Sequence, residues 1–407
     1  MFSVYTDTPV QPRNIMVDMD NICYAHTPLA WIRKKRKEKM ETQIQKNERN
    51  FGIDLLRILA MYMVVVLHVL GCGGILETCE RFSVNYYVAW FLETSAYCAV
   101  DVFAMISGYV MVNTKFNGFK MIPLWLTVFF YSSLLTILFK FVPSLSLLHE
   151  VTKIELIKGI VFPVVSNQYW YFTAYFGMYF FIPFINKMIR NLEKKEYTAL
   201  CITIIVVYSL LPVFGLKRID SFNMGWGYTT AWLICMYIIG GYFNKFPVKL
   251  SKIKCLLLYS ISIFCAWFSK LMSHVLIKLI FKMDKELDLF IDYTSIFIII
   301  SGVALLLLFS NLEIKKRISK KIISFVSSLA FSVYIIHSQR FVFNYIFRKK
   351  FEHLAFETPI LLVLKVLVFA FLIFVLCWSI DLIRYFIFKV SRINKIPKIL
   401  YNKYNKA

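Results

Sequence analysis

The sequence predicts an all-α polytopic membrane protein with about ten transmembrane helices and both termini cytoplasmic. Three observations predict it. Of 407 residues, 59% are hydrophobic and 17% are charged, against about 45–50% and about 25% in soluble proteins. Several runs approach or exceed the roughly 20 apolar residues that cross a hydrocarbon core. The lysines and arginines behind a net charge of +23 lie between those runs, where they read as topology signals.

Taken in order, helices are expected over about 53–71, 86–112, 122–142, 169–186, 198–216, 225–244, 254–277, 291–310, 321–347 and 359–388. Loops after the even-numbered helices carry Lys115 and Lys120, then Lys187, Arg190, Lys194 and Lys195, then Lys245, Lys249, Lys252 and Lys254, then Lys315, Lys316, Arg317, Lys320 and Lys321. The opposite loops hold roughly half as many cations, so the even side is the inner side. Residues 50–390 form one membrane domain, followed by a basic cytoplasmic tail over 391–407. Residues 1–49 are expected to be a disordered basic extension, with Met40 as an alternative start of translation. The stretch 143–168 is too polar to span and is placed outside, partly re-entrant against a cavity.

Composition also excludes. The positive charge accompanies no nucleic-acid motif. Nine cysteines are scattered without CxxC or Cys/His spacing, so no metal site is expected. Cys72 and Cys79 flank one short loop and are placed to form a disulfide if that loop faces an oxidising space.

The first helix holds the principal signal. In FGIDLLRILAMYMVVVLHVLG, Arg57 and His68 interrupt an apolar run, although a central arginine costs roughly 2.5–3.5 kcal/mol on insertion scales. Eleven residues at 100° each return His68 to within about 20° of the Arg57 direction, about 16 Å further along the axis. Both side chains therefore face the bundle interior, Arg57 at the inner depth and His68 at the outer. Asp54, one turn before Arg57, can pair with it. The second helix buries Glu93 and Asp101 at matching depths, which predicts an outer His68–Glu93 pair and an inner Arg57–Asp101 pair. Structural ion pairing is the plain alternative for the inner layer. A buried histidine oriented by a carboxylate is more specific, because its second nitrogen is left as base or nucleophile.

His337, in SLAFSVYIIHSQRF, is a second intramembrane histidine, with a packing role as its alternative. Tyr169, Trp170 and Tyr171 are placed at the outer mouth of the fourth helix. They fit an interfacial aromatic belt and equally a face for stacking a sugar ring. Gly71 to Gly74 reads as a turn. Gly240 and Gly241 suit close helix packing, and Lys270 and Lys278 are expected to snorkel.

Arg57-x10-His68 within DLLRILAMYMVVVLH resembles the signature of membrane-bound acyltransferase family 3, which includes the O-acetyltransferases of bacterial surface polysaccharides. DVFAMISGYVM (Asp101 to Met111), PLWLTVFFYS, SNQYWYFTAYFGMYFFIPFIN, GYTTAWLICMYIIGGYF and SVYIIH are similar to further landmarks of that family, in order, over about 50–390. The resemblance implies ten helices in the plasma membrane of a bacterium and acetyl-CoA as donor substrate, with no permanently bound cofactor. It implies transfer to a sugar hydroxyl of a surface polysaccharide or its lipid-linked precursor, with membrane lipid around the protein. Carried over by position, Arg57 and His68 are expected to be essential for transfer, and Glu93, placed at the depth of His68 by helix geometry, is expected to be catalytic with them. Asp101, Ser107, Tyr169, Trp170, Tyr171 and His337 are expected to bind substrate. Arg57, Lys115 and Lys120 are expected to meet the donor. Many relatives place several arginines before the third helix, where this chain offers only Lys115 and Lys120; the cations from Lys187 to Lys195 are the substitute. A lipid-linked glycan flippase is the rival class, since intramembrane Arg, His and acids also mark transport pathways. No matched pair of broken helices supports it. A related transferase with another acyl group or acceptor is the third reading.

Overall fold

The first apolar run becomes α1 (Phe51–Leu70), 13 of whose 20 residues are buried. A helix that is apolar on nearly every face has to be enclosed, and α1 packs against five other helices. The computed structural model describes residues 49–215, 220–283 and 285–404, among which every regular element is helical. The expected extension at 1–49 lies outside the described residues except for Arg49.

After a short loop the chain returns as α2 (Val84–Tyr97) and α3 (Ala99–Met111), two halves of one path joined at Cys98. Ser83 starts α2 by accepting a hydrogen bond from the Tyr86 N–H at 3.1 Å. There follow α4 (Met121–Phe141), the short α5 (Lys153–Val161), α6 (Trp170–Asn191) and α7 (Lys194–Ile205), which continues through a wide turn to Phe214. Then come α8 (Thr230–Lys245), α9 (Lys252–Phe281), α10 (Ile296–Ser310), α11 (Arg317–His337) and α12 (Pro359–Val390). A helix thus lies at each of the expected positions. Seven helical stretches among the described residues are long and apolar enough to cross a membrane. Of the others, α8 and α10 are short, and α6 is long but rich in tyrosine, whose hydroxyl lowers its apolar character.

The tightest contact joins α3 to α8. A Cβ on Gly108 would sit 1.9 Å from the Tyr237 carbonyl oxygen, and one on Gly240 would sit 2.0 Å from that of Met105. Backbone meets backbone there, as small residues permit between membrane helices. This places α3, and with it Asp101 and Ser107, hard against α8.

Three local expectations change. The ninth helix does not run on to 347: α11 ends at His337, and a wide helical turn begins at Val342. The buried Gln339 side chain makes the break by accepting hydrogen bonds from the Phe341 and Val342 N–H groups at 2.8 and 3.2 Å. Lys270 does not snorkel. It is 1% exposed, bonded to Glu286 and Asp288 at 2.8 and 2.6 Å and lying 3.9 Å over the Trp90 ring, because the 285–295 loop folds carboxylates onto it. Cys72 and Cys79 are both free thiols. The turn at 71–74 is present, and it is also an anchor: the Lys349 and Phe351 N–H groups donate to the Cys72 and Gly73 carbonyls at 2.9 Å. The segment 143–168 folds back on α4, where the Ser132 hydroxyl meets the Gly159 carbonyl at 2.6 Å.

Candidate active site

Two of these features, the anchor at 71–74 and the break after His337, bring the end of α1 against the end of α11. There His68 Nδ1 lies 2.8 Å from His337 Nε2, and the rings are 5.0 Å apart. His337 Nδ1 lies 2.5 Å from the Val333 carbonyl oxygen, one turn back on its own helix. A carbonyl only accepts, so His337 Nδ1 carries the proton and His337 Nε2 is the acceptor. His68 Nδ1 must then donate, which leaves the lone pair on His68 Nε2. Phe343 covers His68 edge-on at 5.1 Å, so the ring is fixed on two sides.

The expected His68–Glu93 pair therefore does not form; the partner is a second histidine from 269 positions away. Glu93 is 8% exposed, and its Oε2 is buried with no hydrogen-bond partner among the described residues. Its carboxyl interacts electrostatically with Tyr97, Tyr228 and Tyr293. The Arg57–Asp101 pair does not form either. Arg57 Nη1 bonds Asp54 Oδ1 at 2.6 Å, as its one-turn spacing suggests. Asp101 is fully buried and accepts instead from the Trp232 indole N–H at 2.8 Å, because the close α3–α8 approach puts that indole beside it.

The remaining candidates fall into three places. Arg57 interacts electrostatically with Tyr175, whose hydroxyl lies 3.4 Å from Ser107 Oγ, so α1, α3 and α6 bring these three together. Tyr169 is buried and Tyr171 is half-buried with its hydroxyl enclosed; each ring stands 6.1–6.4 Å from Tyr334, which stands 6.5 Å from His337. Trp170 points the other way, with its ring 4.4 Å from Tyr228. Lys115 and Lys120 are exposed on the loop between α3 and α4, at the end of the bundle where α1 begins. Arg190 Nε and Nη2 donate to the Val112 and Thr114 carbonyls at 2.6 and 2.7 Å, which fixes two of its three guanidinium nitrogens at the end of α3.

Sequence reasoning missed Gln339, Tyr334 and Trp232, which carry no charge in an apolar run and so give no signal. It also missed a group that did give one. Asp381 and Arg384 interrupt the apolar α12; they pair at 2.5 and 2.7 Å, and the Tyr131 hydroxyl donates to Asp381 at 2.9 Å. This cluster ties α12 to α4.

Chemically, the His68–His337 pair offers one basic nitrogen of fixed direction, backed by an acceptor able to share positive charge on the ring. A family model described as an acyltransferase domain matches residues 50–382. Comparison with curated proteins and with solved structures gives no match.

Proposed function

This chain belongs to acyltransferase family 3, and on that premise we propose that it moves an acetyl group from acetyl-CoA to a sugar hydroxyl of a surface polysaccharide or its lipid-linked precursor. It is a multi-pass membrane acyltransferase; the donor, the acceptor and the bacterial plasma membrane are our reading. We read ten helices as crossing, with both ends cytoplasmic, because the loops on that side hold the larger share of cations. Acetyl-CoA then approaches from the Arg57 end, where Lys115 and Lys120 supply positive charge for its phosphates. The acceptor approaches from the other end of α1.

One observation carries the mechanism: the hydrogen-bond order Val333 carbonyl, His337, His68, which leaves Nε2 of His68 as the base. In direct transfer, His68 Nε2 takes the proton of the acceptor hydroxyl as that oxygen bonds to the thioester carbonyl carbon. The carbon–sulfur bond then breaks, and the CoA sulfur leaves with the proton returned by His68 Nε2–H. The His337 Nε2 lone pair faces the forming imidazolium, so positive charge on His68 is supported through the shared Nδ1 proton. Arg57 is too far along α1 to touch the same atom, and its role is with the donor.

The experiment is thioester consumption by the purified chain, followed as free CoA thiol, with and without acceptor glycan. Acceptor-dependent release of thiol supports the reading. Glycan movement across vesicles with no thioester consumption refutes it in favour of transport.

A further inference from the structure

Glu93 lost its expected partner, and what surrounds it instead is aromatic. The Tyr97 ring lies 4.8 Å from Tyr293, which lies 5.1 Å from Tyr228, which lies 4.4 Å from Trp170. Trp170 closes the group at 6.1 Å from Tyr293. These rings come from α2, α6 and the two loops before α8 and α10. Three of the four, Tyr97, Tyr228 and Tyr293, interact electrostatically with the Glu93 carboxyl, whose Oε2 is buried with no hydrogen-bond partner among the described residues.

The loop before α8 is built to hold this arrangement. The Asp220 carboxyl accepts from the Met224 N–H at 2.9 Å and from the Gly225 N–H. Gly225 and Gly227 both take positive φ, +57° and +98°, and a Cβ on Gly227 would sit 2.3 Å from the Tyr293 Cβ. The glycine therefore allows Tyr228 to close on Tyr293. Trp226 and Tyr228 remain 48% exposed, so two aromatic side chains of this loop stay accessible while the Glu93 Oε2 is buried. The Asp101 Oδ2 and the Tyr171 hydroxyl are also buried without a hydrogen-bond partner among the described residues. The two interact electrostatically with each other.

Buried carboxyls and phenols need hydrogen-bond partners, while flat aromatic rings favour a ligand with an apolar face. A pyranose has both: C–H bonds across its faces and hydroxyls around its edge. We propose that Trp170, Tyr228, Tyr293 and Tyr97 form a binding subsite for a pyranose unit of the acceptor, with Glu93 accepting a hydroxyl of that sugar. The inference rests on the transferase reading above and adds where the acceptor is gripped. The grip is separate from the histidine pair: among the described residues the ring contacts lead from Trp170 to His337 by way of Tyr171 and Tyr334. Glu93 thus acts in specificity rather than in proton transfer.

The test uses the full chain in lipid nanodiscs, radiolabelled acetyl-CoA, and surface polysaccharide of the producing cell freed of O-acyl groups by mild alkali. Tyr228→Ala and Glu93→Gln are each expected to raise the acceptor KM about tenfold while the acetyl-CoA KM stays the same. Tyr228→Phe keeps the ring and is expected to recover the acceptor KM. Tyr228 is half exposed, so its truncation leaves the core packed. Transfer by the intact chain with unchanged acceptor KM in both variants overturns the subsite and leaves the transferase reading standing. Equal changes in both KM values also overturn it, because they report a general loss of structure. No transfer by the intact chain overturns the transferase reading, and the subsite falls with it.

Discussion

Replacing His337 by Phe removes the acceptor of the His68 Nδ1 proton while keeping a ring in the same place. The bond lost is a neutral one of 2.8 Å, inside a site where His337 is 2% exposed. A neutral hydrogen bond contributes about 1 kcal/mol net, but a donor left buried without a partner costs about 1–3 kcal/mol. At about 1.4 kcal/mol per factor of ten, misorientation of the base alone predicts a fall in kcat of about 5- to 150-fold. His337→Gln is the informative companion. Its amide oxygen can still accept from His68, so its loss should lie at the small end of that range, about tenfold or less. The assay is acceptor-dependent release of CoA thiol from membranes containing equal amounts of each protein. Full kcat in His337→Phe at equal protein level refutes the relay. So does a Gln variant that is no better than Phe.

The other predictions concern the scaffold. Gly240→Val places methyl groups where even a Cβ would lie 2.0 Å from the Met105 carbonyl oxygen; overpacking of about 1–3 kcal/mol or more should lower the Tm in detergent, and an unchanged Tm contradicts the backbone contact. Arg384→Met leaves Asp381 buried and uncompensated, at a cost of about 3–5 kcal/mol. Pairing it with Asp381→Leu should restore much of that stability in a chemical denaturation series, and no recovery in the double variant counts against the pairing. Glu155 lies outside the membrane-spanning stretches. Burial raises its carboxyl, but the Thr152 N–H, His149 and the Thr152 hydroxyl outweigh that and hold it below its ordinary value. A carboxyl depressed in the folded state contributes stability above its unfolded value and loses it as the pH falls through the folded one. Pepsin cleavage in 143–168 should therefore rise over that lower window in the intact chain and stay high throughout in Glu155→Gln.

Helix positions were legible because they depend on local content. An apolar run of membrane length folds as a helix in lipid whatever its neighbours, and Arg57 found Asp54 because one turn separates them. The Gly240 contact was also legible, since small residues between apolar helices have one principal use. Partners across helices were not. The expected hairpin pairing takes consecutive helices to face each other with their polar sides, whereas Glu93 interacts with Tyr228 and Tyr293 from later loops. His68 instead met a residue near the far end of the chain, through an anchor at Cys72 and Gly73 that no pattern announces. The buried Lys270 escaped for a related reason: its carboxylates lie in a loop, where acids look solvated. Asp381 and Arg384 were readable by the same rule that found Arg57.

The central claim is that His68 carries acyl transfer onto a surface glycan. It is tested most directly by proton NMR of O-acetyl groups on the surface polysaccharide, comparing cells with the intact chain and cells with His68→Ala at matched membrane levels. The account predicts acetyl signals with the intact chain and none with the variant. Acetyl signals of full strength from the His68→Ala cells would contradict it.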